Sequence, residues 1–133
     1  MGLFSPLNKT NQTRPTAQIW DKKSFFKLVN DTDDETADLT WEAFGKALAD
    51  ATKEWKFAAS TKDINRVRQI AHKIRPSSLL LGFKEFALLN QKIEQDLTNN
   101  IAESGMDQDL SQWLSDANSV LQILNQQPKD LLG

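Results

Sequence analysis

Seven apolar side chains, Ala37, Trp41, Phe44, Leu48, Ala51, Trp55 and Ala58, recur at alternating steps of four and three residues. An α-helix turns once every 3.6 residues, so this spacing lines all seven along one face. It predicts a long helix over about 32–59. Three further stripes keep the same period. Ile64, Val67, Ala71, Ile74, Ser78 and Leu81 predict a helix over about 61–81 that carries its register through Pro76 and ends where Gly82 supplies a left-handed cap. Phe86, Leu89, Asn90, Ile93, Leu97 and Ile101 form the next, closed by Ser104-Gly105. Leu110, Trp113, Leu114, Ala117, Val120, Leu121 and Leu124 form the last, stopped before Pro128. No segment alternates with the period of two that a half-buried strand shows. Four amphipathic helices on short turns bury their stripes most simply in an all-α, antiparallel up-down four-helix bundle.

A short extra N-terminal helix over about 21–30 precedes these, with Asp21 as its N-cap and Trp20 placed to staple onto Phe25. Thr32-Asp33-Asp34-Glu35 reads as a capping box, with acids suited to the positive end of a helix. The same acids lack the Gly and terminal Glu spacing of a calcium loop, so the cap is preferred to a metal site. Trp41, Trp55 and Trp113 at helical spacing are read as core and not as a cofactor box.

With 133 residues the chain is long enough for one domain around one core. The bundle is expected over 17–127, with residues 1–16 a polar linker or expression remnant and 128–133 a C-terminal tail. A net charge of −2 and a pI near 5.4 lack the basic excess of a general nucleic-acid binder. There is no cysteine, so neither a disulfide framework nor a thiolate metal site can be built, and a single histidine excludes sites needing several imidazoles. No apolar run reaches the roughly 18 residues of a membrane span. Pro6 stands where a myristoylation signal needs Ser or Thr, and the sequons at Asn8 and Asn11 fall in a polar segment without a signal peptide. These features suit a cytoplasmic monomer with no direct membrane contact.

The lone histidine, His72, follows Ala71 of the third helix's apolar stripe. One residue turns the helix by about 100°, which moves the imidazole to the flank of the stripe and at least partly into water. Arg68, Gln69, Arg75 and Pro76 lie one turn away, with Asn65 and Leu79 a turn further out. Guanidinium groups at that distance would stabilise an anion placed on the ring, and a phosphoryl group is the modification that matches. No nucleophile triad can be assembled, and no Gly-rich phosphate loop offers an ATP site. On composition alone, a surface histidine without a role also fits.

Ala71-His72-Lys73-Ile74-Arg75-Pro76-Ser77-Ser78, followed by Gly82, resembles the signature of histidine phosphotransfer (HPt) domains. That signature has Ala-His, then Lys three residues after the His, Gly at four, Ser at five and Gly at ten. Here Arg75 stands for the Lys, Pro76 replaces the first Gly, and Ser77 and Gly82 match. The likeness extends loosely over residues 20–125, including Ile93-Glu94. It implies a four-helix bundle whose exposed His72 accepts phosphate from the aspartyl phosphate of a receiver domain and passes it on or back. It also implies that Arg75 screens the phosphoryl group, Ser77 supplies a supporting hydrogen bond and Glu94 orients the imidazole. Arg68, Gln69, Lys73, Pro76 and Leu79 would meet the response-regulator receiver. No cofactor of its own is implied, since the receiver brings Mg²⁺, and the parent chain is expected to be a hybrid sensor histidine kinase or a free-standing carrier.

Two rivals use the same residues differently. The phosphoacceptor helix of a histidine kinase also joins His, a basic residue and Pro, but it wants an acid directly after the His and its proline one place later, where this chain has Lys73 and Ser77. A helical adaptor that binds a receiver without being phosphorylated is the other.

Overall fold

Asp21, Asp33 and Asp63 each accept a hydrogen bond from a backbone N–H two or three residues ahead, and each begins a helix. The computed structural model of the chain describes residues 15–99 and 106–132. These form α1 (Thr16–Ile19), α2 (Lys22–Asp31), α3 (Asp34–Ser60), α4 (Ile64–Leu81), α5 (Lys84–Thr98), α6 (Met106–Leu124) and α7 (Pro128–Leu132). All seven residues of the α3 stripe are buried. On α4, Val67, Ala71, Ile74, Ser78 and Leu81 are buried and Ile70 joins them, whereas Ile64 in the first turn stays 42% exposed. Phe86, Asn90 and Ile93 of α5 and Trp113, Ala117, Val120 and Leu124 of α6 complete the interior, with Leu89, Leu97, Leu110, Leu114 and Leu121 packed partly buried against it. Ile101 and Ser104-Gly105 lie outside the described residues.

Two boundaries differ from the sequence expectation. The cap of α3 is Asp33 and not Thr32: the Thr32 hydroxyl donates back to the Leu28 carbonyl at 2.6 Å and closes α2, while Asp33 accepts from the Thr36 N–H at 2.6 Å. Two helices meet here without a linker, so adjacent residues serve opposite ends. α4 begins at Ile64 rather than near 61, because Lys62 adopts a left-handed φ of 57° and Asp63 then caps the new helix.

α3, α4, α5 and α6 close a ring in chain order, each packed on the next and α6 on α3. Contacts at both ends fix the directions. The Trp41 indole N–H, near the start of α3, donates to the Leu124 and Gln126 carbonyls after the end of α6, and the Trp55 indole N–H, near the end of α3, reaches the Leu110 carbonyl at the start of α6. The Arg66–Glu54 ion pair and the Lys92–Asp109 pair at 2.8 Å likewise show α3 against α4 and α5 against α6 antiparallel. In the centre, Trp55 and Trp113 stack with ring centroids 3.9 Å apart. The Trp113 indole N–H donates to the Asn90 amide oxygen at 2.8 Å, and the Asn90 amide donates to the Phe86 carbonyl, so these two buried side chains are satisfied. Among the described residues, no helix is long and apolar enough to cross a membrane.

α1 and α2 strap the end of the bundle where α4 turns into α5. The Trp20 indole N–H donates to the Leu81 carbonyl and the Asp21 N–H to the Gly82 carbonyl, both at 2.8 Å, while Lys84 pairs with the Asp21 carboxylate. Trp20 also meets Phe25 edge to face, as the staple requires. Gly82 has φ 104°, and a Cβ there would collide with the Asp21 carbonyl, so conformation and space both demand glycine. At the other terminus, the stretch expected as a tail carries α7. Pro128 is buried and opens that helix, because a proline suits a first helical turn as well as it ends a preceding helix.

Candidate functional site

The α4–α5 turn consists of Gly82 and Phe83 alone. It folds α5 back along α4, and the antiparallel register brings Glu94 beside His72. Ala71 is fully buried, and the His72 side chain one residue on is 65% exposed. The His72 Nδ1 lies 2.5 Å from Glu94 Oε2. An ionised carboxylate only accepts hydrogen bonds, so Nδ1 is the donor and carries the proton. In the neutral ring with its proton on Nδ1, the other ring nitrogen, Nε2, carries the lone pair, and among the described residues nothing hydrogen-bonds to it.

Glu94 is partly buried and serves two neighbours. Its second oxygen, Oε1, stands 3.6 Å from Arg75 Nη2, a charge contact longer than a hydrogen bond. The Arg75 Nε is buried without a partner. The three side chains thus form one cluster, with the carboxylate between an imidazole and a guanidinium. Arg75 sits on the helix face turned toward α5, one turn beyond His72.

The other sequence candidates fall into two groups. Arg68, Gln69, Lys73, Pro76 and Leu79 surround His72 on the outer surface of α4. Arg68 donates to the Asn65 side-chain oxygen at 2.7 Å, Gln69 accepts from Arg66, and Leu79 is 55% exposed. Leu80, 49% exposed on the same side, belongs with them and was not singled out from the sequence, although its position next to the stripe residue Leu81 is the signal that would have found it. Ser77 is not brought to His72. It is rotated from it by about 140° around the helix and lines a shallow groove against α3 with Thr36, Thr40, Ala43 and Phe44. The next residue, Ser78, is fully buried and donates to the Ile74 carbonyl.

α4 runs unbroken through Pro76, in keeping with the single helix read from the stripe. The proline ring is on the exposed face, where the lost backbone hydrogen bond opens toward water and not into the core.

No protein-family model matches the sequence, and no curated protein does. The fold nevertheless has a solved counterpart. It resembles the crystal structure of histidine-containing phosphotransfer protein B (HptB) from Pseudomonas aeruginosa PAO1, with a TM-score of 0.73 over 86% of this chain and 97% of that one. The two sequences are 16% identical, so the likeness is one of fold.

Proposed function

We propose that this chain is a phosphoryl carrier of a two-component phosphorelay, taking phosphate on His72 from the aspartyl phosphate of a receiver domain and passing it on or back. The observation that carries this reading is the exposed imidazole tied through Nδ1 to Glu94 at 2.5 Å, which presents Nε2 as the nucleophile. In the transfer, the Nε2 lone pair attacks phosphorus, the N–P bond forms, and the P–O bond to the aspartate breaks with its electron pair leaving on the carboxylate. The ring gains positive character as Nε2 is substituted, and the Glu94 carboxylate on the Nδ1 proton offsets it. Arg75, poised beside Glu94, is the cation available to the phosphoryl oxygens.

Phosphoryl transfer of this kind depends on positioning and charge neutralisation, so the carrier needs no ATP site and no metal of its own. The receiver would supply Mg²⁺ and the acidic pocket, docking over Arg68, Gln69, Lys73, Pro76 and Leu79. Placement in a hybrid sensor histidine kinase belongs to the same reading, with the kinase supplying phosphate through its receiver. Ser77, which lines the groove against α3, stands outside this cluster.

The test is incubation with a receiver charged with labelled phosphate in the presence of Mg²⁺. Acid-labile label on His72, absent from His72→Gln, is the expected result. Receiver binding that survives in His72→Gln while the wild-type protein takes no label would replace the carrier by an unphosphorylated adaptor.

A further inference from the structure

Leu39 and Phe57 are large apolar side chains on the outer face of α3, 58% and 72% exposed. The step from 39 to 57 is five full turns at 3.6 residues each, so both sit on one line along the helix, about 27 Å apart. The same rotation places Ala43, Lys46, Asp50 and Lys53 within about 40° of that line and Glu42 beside it at about 60°. All five are exposed, and the buried stripe of α3 points the opposite way. Among the described residues no ion pair engages Glu42, Lys46, Asp50 or Lys53. The bundle therefore leaves a helix face that is apolar at both ends, charged between them and unpartnered.

The order of these residues is self-complementary. A two-fold axis at the level of Leu48 lays position 39 of one copy against position 57 of the other, and position 46 against position 50. Leu39 then meets the partner's Phe57, Lys46 the partner's Asp50, and Glu42 the partner's Lys53, each contact occurring twice as a two-fold interface requires. An unrelated partner would need charges of opposite sign but no such symmetry; acids and bases mirrored about one level are what a second copy calls for. We propose that the outer face of α3 is a self-association surface through which two copies of this chain pair antiparallel, in place of the monomer expected from composition. His72 leans toward α5 through Glu94, so both imidazoles stay open in the pair. One helix face buries less than the roughly 800 Å² that each side contributes to a standard interface, so the pair is weak and forms at high protein concentration.

Sedimentation equilibrium of the full chain, from about 10 μM to about 1 mM, reads the association directly. The wild-type protein should follow a monomer–dimer equilibrium that added salt weakens, because its charged pairs are exposed. Glu42→Lys and Lys53→Glu each set like charges against one another twice, and each alone should associate at least about tenfold more weakly. Mixed in equal amounts, the two should dimerise again, since Lys at 42 of one copy then faces Glu at 53 of the other and both remaining contacts keep opposite signs. The double variant should likewise recover. Phe57→Ser should weaken association without lowering the helical circular dichroism. A wild-type protein that stays monomeric across the range overturns the inference. So does a mixture no heavier than its separate components, or growth beyond the dimer, which a closed two-fold pair forbids. None of these results bears on phosphate uptake by His72, so the carrier reading stands or falls separately.

Discussion

Glu94 ties the His72 cluster together, because its two oxygens divide between the His72 Nδ1 and the Arg75 guanidinium, and the proposed transfer depends on it. Glu94→Gln keeps the size and an acceptor but removes the charge. A charge-assisted hydrogen bond is roughly twice as strong as a neutral one, so transfer from a charged receiver should slow by about tenfold. An unchanged rate would mean that the carboxylate does not support the ring. The exposure of His72 was legible because it follows a stripe residue; its partner was legible only through the family resemblance. Nothing in local spacing shows that α5 returns alongside α4 in the register that joins position 94 to position 72. Ser77 is the reverse case: a motif position suggested a role near the imidazole, while the helix angle turns it toward α3.

Among the elements, the α4–α5 corner and the strap across it carry the clearest dependence. Gly82→Ala would force a left-handed backbone on a residue with a Cβ and push that Cβ into the Asp21 carbonyl. The conformational penalty alone is about 1–2 kcal/mol, and the collision should also unseat Trp20 from the Leu81 carbonyl. Chemical denaturation should show a lower midpoint together with altered Trp20 emission, and an unshifted midpoint would contradict the packing described. Acid sensitivity belongs to the same junctions. The hydrogen bond from Lys84, then that from the Lys23 N–H, hold the Asp21 carboxyl below its ordinary value of 3.8, and the Thr36 N–H does the same for Asp33. A carboxyl lowered by folding stabilises the fold above its unfolded pKa, and that contribution fades as pH falls through the folded value. Asp21→Asn should therefore flatten the loss of stability measured by thermal unfolding as pH falls below about 4, where the wild-type slope is steeper. Periodicity revealed the helices but not their junctions: whether Thr32 or Asp33 caps α3 depends on how closely α2 precedes it, and periodicity does not register that distance.

For the whole molecule, the bundle acts as a rigid frame that holds one face of α4 outward. Its central polar tie is the Trp113–Asn90–Phe86 chain of hydrogen bonds. Asn90→Leu fills the space but strands the Trp113 indole N–H, which should cost about 1–3 kcal/mol in urea denaturation with an unchanged slope. No loss would show that the tie is dispensable. The architecture was legible because stripes of one period leave a single economical way to bury them, and all seven α3 positions are indeed interior. α7 was not, because five residues are too few to display a period and Pro128 reads equally well as a stop or a start. The most direct measurement of the central claim is where phosphorus becomes attached. Nitrogen-15 NMR of the labelled protein, charged by a receiver, should show phosphorus bonded to Nε2 of His72, with Nδ1 still protonated toward Glu94. Phosphorus on Nδ1, or on any other residue, would contradict the account.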